Sequence, residues 1–151
     1  MYRFYTYQDR LTLFRRVNDI YANHESLEDA VSEVKSYSSP ILKLQYLFAG
    51  IPGIPVLGGG SACKRLAMFL RWMVRSDGSV DFGIWRTAVQ PHELIIPLDT
   101  HVHQISLELG LTTQKNATLQ TAVEITEALK AVFPGDPCLG DFALFGYDIY
   151  K

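Results

Sequence analysis

The sequence predicts an all-α protein. Three observations carry that prediction. Apolar residues recur at three- and four-residue spacing in most long segments, as one buried helix face requires. Residues suited to helix N-caps precede those segments, and glycine or proline follows them. No segment alternates apolar and polar residues over a strand's length.

Each element can be placed in order. Asp9 to about Asn23 carries Leu11, Leu13, Phe14, Val17, Ile20 and Tyr21 on one stripe, with Arg10, Arg15, Arg16 and Asp19 off it. Ser26 opens a short second helix striped by Leu27, Ala30, Val31 and Val34. Glu25, Glu28 and Asp29 lie near its start, where the helix dipole favours acids. Ser39-Pro40 starts a third helix, ILKLQYLFA, which ends at Gly50. Two prolines and five glycines then exclude regular structure over residues 50–60, leaving a loop or a tight hairpin. Ser61 caps a helix from about Ala62 to Arg75, and residues 76–97 are irregular with a short helical option at PHEL. Asp99 caps THVHQISLELG, which stops at Gly110. Thr118 to Phe133 is amphipathic, and Asp136-Pro137 caps a last helix, CLGDFALFGY. Connections of this length suit a helical bundle.

Composition narrows the function classes. The 151 residues suit one domain and are enough to bury a core. With 48% hydrophobic and 20% charged residues, the chain is a globular protein rather than a disordered one. Two cysteines, Cys63 and Cys138, are too few for a disulfide framework, an iron–sulfur cluster or a thiolate zinc site. They leave a reduced, cytoplasmic setting as the expectation. No apolar run has the length of a membrane span, and the first ten residues lack the apolar core of a signal peptide. The net charge of −2 gives no hint of a polyanion partner.

The segment 62–75 speaks differently. At 100° per residue, Arg71 and Arg75 lie within about 20° of Lys64 around the helix, with Met68, Trp72 and Arg65 further round. The opposite arc holds Leu66, Phe69, Leu70, Met73 and Val74. The helix therefore has a core face and a basic stripe. The stripe reads either as a solvated surface or as a phosphate-contacting face. The preceding glycine loop favours the second, because exposed backbone amides and a helix N-terminus make an anion site. GGGSACKR lacks the ending and spacing of a P-loop, and DFG at 81–83 stands without other kinase signatures.

Lys64 comes early in its helix. The helix N-terminus and the neighbouring Arg65 and Arg71 disfavour a second cation and favour its nucleophilic amine. Asp99 can act as a simple N-cap, or as a cap that also faces a cleft as base or electrostatic partner. Asp99 and His103 could share a metal at i, i+4, but no third ligand supports it, so no metal or cofactor is expected. His24 and His92 read as surface residues.

A glycine-rich hairpin, a helix carrying an early lysine and a Pro-x-Asp at a later helix start resemble the helix-hairpin-helix base-excision DNA glycosylases. SACKRLAMFLRWMVR, DFGIW, IPLDTHVHQISLELGL and DFALFGYDI look like one uncharacterised bacterial family, a domain of unknown function seen in Bacteroidetes and other bacteria. Nearest in style among the glycosylases are the archaeal 8-oxoguanine enzymes, which lack an iron–sulfur cluster. The resemblance implies a DNA-glycosylase-like helical bundle containing a helix-hairpin-helix element. Gly58, Gly59, Gly60 and Ser61 would grip phosphate, with Arg65, Arg71 and Arg75 as further DNA contacts. Lys64 would attack the sugar C1′ of a flipped, damaged purine such as 8-oxoguanine and form a Schiff base, as a bifunctional glycosylase/lyase. Asp99 would assist it. Trp72, Phe82 and Trp85 are candidates to stack on the extruded base. The partner would be duplex DNA with a flipped base, with a nucleoid-associated location. Because family members usually carry a longer N-terminal region, residues 1–151 are expected to form a single domain truncated at its N-terminus. A non-catalytic helix-hairpin-helix DNA-binding module and an all-α interaction domain without nucleic acid are the alternatives.

Overall fold

The structure, a computed structural model, describes residues 5–76 and 80–149, the last two of these by backbone alone. The described residues are helical and contain no strand. They form seven α-helices and one 3₁₀ turn: α1 (Tyr7–Asn23), α2 (Leu27–Glu33), α3 (Pro40–Leu47), α4 (Lys64–Val74), the 3₁₀ turn (Pro91–Glu93), α5 (Thr100–Glu108), α6 (Leu119–Lys130) and α7 (Leu139–Ile149). A single β-bridge joins Ser76 and Phe82. The all-α expectation holds. The chain divides into two compact units, Met1–Gly59 and Gly60–Lys151, the boundary falling inside the glycine run.

In the first unit α1 begins two residues before Asp9, because Thr6 is the cap. Thr6 Oγ1 accepts from Asp9 N–H (3.2 Å), and Asp9 Oδ2 accepts from Thr6 N–H (2.7 Å). This reciprocal capping box was legible in Thr-Tyr-Gln-Asp and was missed because aspartate replaces the usual glutamate. The apolar stripe of α1 is only partly used. Ile20 is buried, while Leu13, Phe14 and Tyr21 are exposed. Arg16 Nη1 donates to Leu47 O at the end of α3 (2.8 Å), which ties α1 to α3. Beyond α3, the buried Gln45 amide donates to Pro55 O (2.8 Å) and Val56 O (3.2 Å) and holds the Gly50–Gly59 loop as stacked turns. Gly59 N–H closes the last of them onto Val56 O.

The second unit is organised around α4. Its Leu66, Ala67, Leu70 and Val74 are buried, as the core arc requires. The irregular segment after it is pinned to the carbonyls at its C-terminal end. Phe82 and Gly83 N–H both donate to Trp72 O, and Trp85 N–H donates to Met73 O. Residues 94–98 then run extended with Leu94, Ile96 and Leu98 buried, and Ile96 N–H donates to Thr126 Oγ1 of α6. The helix α5 ends in a Schellman motif. Gly110 takes φ +70°, its N–H donates to Leu107 O, and Leu111 N–H donates to Ser106 O. Thr118 caps α6 through Thr121 N–H. α7 packs against α5.

These observations give two stability predictions, both read by chemical denaturation. Ile125→Ala, at a fully buried position of α6, costs about 3 kcal/mol through lost burial and the cavity left. Gly110→Ala meets nothing within 4 Å, so it costs about 1 kcal/mol through backbone strain alone.

Candidate functional site

The start of α4 is set by a tight turn. Ser61 Oγ accepts from Cys63 N–H (3.1 Å), and Ser61 O accepts from Leu119 N–H at the start of α6 (3.1 Å). Cys63, buried and left-handed (φ 54°), is the cap residue, and its carbonyl takes the first helical bonds from Leu66 and Ala67. Ser61 therefore does not cap the helix directly, and Lys64 stands at its first position rather than two or three residues in.

Asp99 heads α5 after the apolar segment 94–98. Its two oxygens do different work: Oδ1 accepts from Val102 N–H (2.9 Å) as the helix cap, and Oδ2 accepts from Lys64 Nζ (2.9 Å). Residues 35 apart in sequence are thus joined at the heads of two helices. The pair lies open to solvent, with side-chain exposures of 48% for Lys64 and 32% for Asp99. Burial alone would push the Asp99 carboxyl up. The hydrogen bond from Lys64, the Val102 N–H and the lysine charge outweigh it and hold the carboxyl below its ordinary value. The ionised form is therefore fixed in place.

The rest of the expected basic stripe turns inward. Arg71 and Arg75 are buried at 7% and 6% exposure. Arg71 Nη1 donates to Asp141 Oδ2 (2.8 Å), and its Nε lies 3.3 Å from Asp81 Oδ1. Arg75 Nε donates to Asp136 Oδ2 (2.6 Å), and its Nη1 bonds Asp81 Oδ2. The Phe142 ring lies 5.0 Å from one guanidinium and 5.2 Å from the other, within cation–π range. Burial disfavours the Arg75 charge, but Asp136 and Asp81 outweigh that and hold its pKa above the usual arginine value.

This corrects the reading of Arg71 and Arg75 as phosphate contacts. A guanidinium on a helix flanked by Leu70 and Val74 cannot be desolvated without acids, and three aspartates supply them. Those acids, Asp81, Asp136 and Asp141, escaped the sequence reading. DFG stands without a kinase context, and Asp136 reads as a cap. Their signal was the stripe itself, since two arginines on a helix with so apolar an opposite face demand counter-charges.

The other candidates separate. Arg65 is exposed on α4. Phe82 is 66% exposed and Trp72 is half-buried. Trp85 is buried edge-on against Phe69, with centroids 5.7 Å apart. It is a core anchor, which corrects its candidacy as a stacking residue. Gly60 and Ser61 open the second unit, while Gly58 (φ +72°) and Gly59 close the first, and all four are exposed. His103 is buried and its Nε2 donates to Gln114 O (2.8 Å), so it is a structural residue. Among the described residues no group of three histidine, cysteine or acidic side chains could hold a metal. Cys138 is buried. Burial, with Asp136 and Asp141 nearby, pushes its thiol up to about 12. No helix among the described residues is long and apolar enough to cross a membrane.

Fold and site together define an all-helical protein with a lysine–aspartate pair set across two helix starts. The chain belongs to the family described as protein of unknown function (DUF2400), whose model matches residues 1–150. No curated protein and no solved structure matches it.

Three expectations follow. Arg75→Ala removes the arginine from Asp136 and leaves Asp81 with Arg71 alone, and it costs about 3–5 kcal/mol in urea unfolding, because buried charge loses a partner. At Asp99, asparagine keeps the cap while alanine removes it. Asp99→Ala therefore costs about 1 kcal/mol more than Asp99→Asn. The ionised Asp99 stabilises the fold above the ordinary carboxylate pKa of about 4. That contribution is lost as pH falls through its lowered native value, so Asp99→Asn flattens the acid limb of a stability–pH profile.

Proposed function

We propose that this protein is a DNA glycosylase with lyase activity, acting on a flipped, damaged purine such as 8-oxoguanine. The observation that carries the reading is the Lys64–Asp99 pair, closed at 2.9 Å and half open to solvent. The target carbon is unreachable inside a stacked duplex, so the nucleotide must be extruded. Lys64, freed of one proton, attacks C1′, and the base leaves with the glycosidic electron pair and takes the proton that the newly bound nitrogen sheds. The C1′–O4′ bond then opens, O4′ is protonated from solvent, and the resulting protonated Schiff base permits strand scission. Asp99, held as the anion, opposes the positive charge that develops on the sugar. Gly60 and Ser61 with Arg65 would hold backbone phosphates, and Phe82 and Trp72 remain the aromatic candidates for the base or its gap.

Borohydride reduction of the protein mixed with duplex containing 8-oxoguanine is expected to leave a covalent protein–DNA band. Lys64→Ala abolishes that band, and Asp99→Asn lowers its rate by about 10²–10⁴-fold. A band that persists at wild-type rate in Lys64→Ala removes Lys64 from the reaction.

A second reading, an all-α interaction domain, draws on one observation: two of the four stripe cations are spent internally. Duplex affinity separates the readings. The glycosylase requires salt-dependent binding, each phosphate contact steepening the log–log slope by roughly 0.9, and the interaction domain shows none.

A further inference from the structure

The connector between α5 and α6 is exposed along residues 113–117, yet its backbone is tied at both ends. His103 Nε2 donates to Gln114 O (2.8 Å), and Gln114 N–H donates to Thr112 Oγ1 (3.1 Å). The Thr112 hydroxyl donates in turn to Glu124 Oε1 of α6 (2.9 Å). Asn116 O accepts from Thr121 Oγ1 (2.6 Å) and from Thr118 N–H (3.0 Å). His103, Thr112 and Thr121 are themselves buried. Three buried polar side chains therefore hold a stretch whose own residues are exposed. A loop fixed in this way enters a complex with little ordering cost, and loops set on a rigid scaffold are where binding groups concentrate.

The same bonds place the connector beside the lysine–aspartate pair. Asp99 O accepts from His103 N–H (2.9 Å), so the side chain that holds Gln114 belongs to the helical turn that Asp99 heads. At the other end Leu119 N–H donates to Ser61 O (3.1 Å), three residues before Lys64. Lys64 Nζ meets Asp99 Oδ2 at 2.9 Å. Hydrogen bonds and short stretches of chain thus form a closed ring through Ser61, Lys64, Asp99, His103, Gln114 and Leu119. The pair is one side of that ring and the connector is another. Lys115 stands on the connector, and among the described residues it has no acidic partner.

We propose that this connector is a second phosphate-binding edge of the Lys64–Asp99 site, with Lys115 paired to a backbone phosphate of the duplex that Gly60, Ser61 and Arg65 hold. The inference rests on the reading of the partner as DNA. An ammonium with no acid beside it gains a full ion pair when phosphate arrives and releases the phosphate's counterion. Lys130, at the far end of α6, is bonded to Glu127 Oε1 (2.7 Å) and has first to give up that pair. A contact of the Lys115 kind fixes the register of the duplex and reads no sequence.

Fluorescence anisotropy of the full chain with an undamaged duplex, titrated with KCl, tests the proposal without any chemistry. Lys115→Ala is expected to weaken binding and to lower the log–log salt slope by roughly 0.9, alike for duplexes of different sequence. Lys115→Arg keeps the slope, and Lys130→Ala leaves both affinity and slope unchanged. A Lys115→Ala slope equal to that of the wild type overturns the proposal, and so does an equal loss in Lys130→Ala. A wild-type protein that binds no duplex at any salt overturns it together with the glycosylase reading. Duplex binding that depends on Lys115, with no borohydride trapping, removes the glycosylase reading alone and upholds the connector as a DNA contact.

Discussion

The second unit depends on a buried run of alternating charges along α4. Arg71 and Arg75 are held by Asp81, Asp136 and Asp141, which come from three later stretches of chain. An isolated arginine buried to this degree would cost several kcal/mol. Each aspartate brings its own segment with it: the loop after α4, the turn before α7, and the first turn of α7. The same contacts that neutralise the arginines therefore fix where those segments lie against α4. The Phe142 ring rests near both guanidinium groups.

The run also decides what is left for chemistry. Of the cations on the stripe, the inner two are committed to structure, and Lys64 stands at the outer end, bonded to a half-exposed acid. Its surroundings are built from helix ends. A left-handed cysteine sets the first residue of α4, and an aspartate caps α5 with one oxygen while the other meets the lysine. Such a site is rigid at little cost, because the hydrogen bonds that hold the catalytic candidates are the ones the helices need at their termini.

Net charge misleads here for a physical reason. The value of −2 averages over an interior that holds several ionised groups of both signs. The basic stripe corrected that average in one direction, suggesting a cationic surface. Burial corrects it back, since Arg71 and Arg75 contribute no surface potential comparable with that of exposed arginines.

The sequence by itself determined the helices, their order and most of their ends. These rest on local interactions: Ser26, Asp99 and Thr118 cap from their own side chains, and Gly110 supplies a positive φ. It also picked out Lys64 and Asp99, since one follows a glycine run and the other heads a helix after an apolar segment. Where local signals were atypical, as with aspartate in the Thr6 capping box or the turn before Lys64, the boundary shifted by two residues. Only the tertiary structure decided which cations face water. A stripe at seven- and eleven-residue spacing is the same pattern whether acids or solvent cover it. The acids that cover this one lie from 6 to 70 residues away in sequence, and no local rule relates them. Trp85 went the same way. Its side chain is as suited to stacking on a base as on Phe69, and the choice was made by the backbone bond from its own N–H to the end of α4.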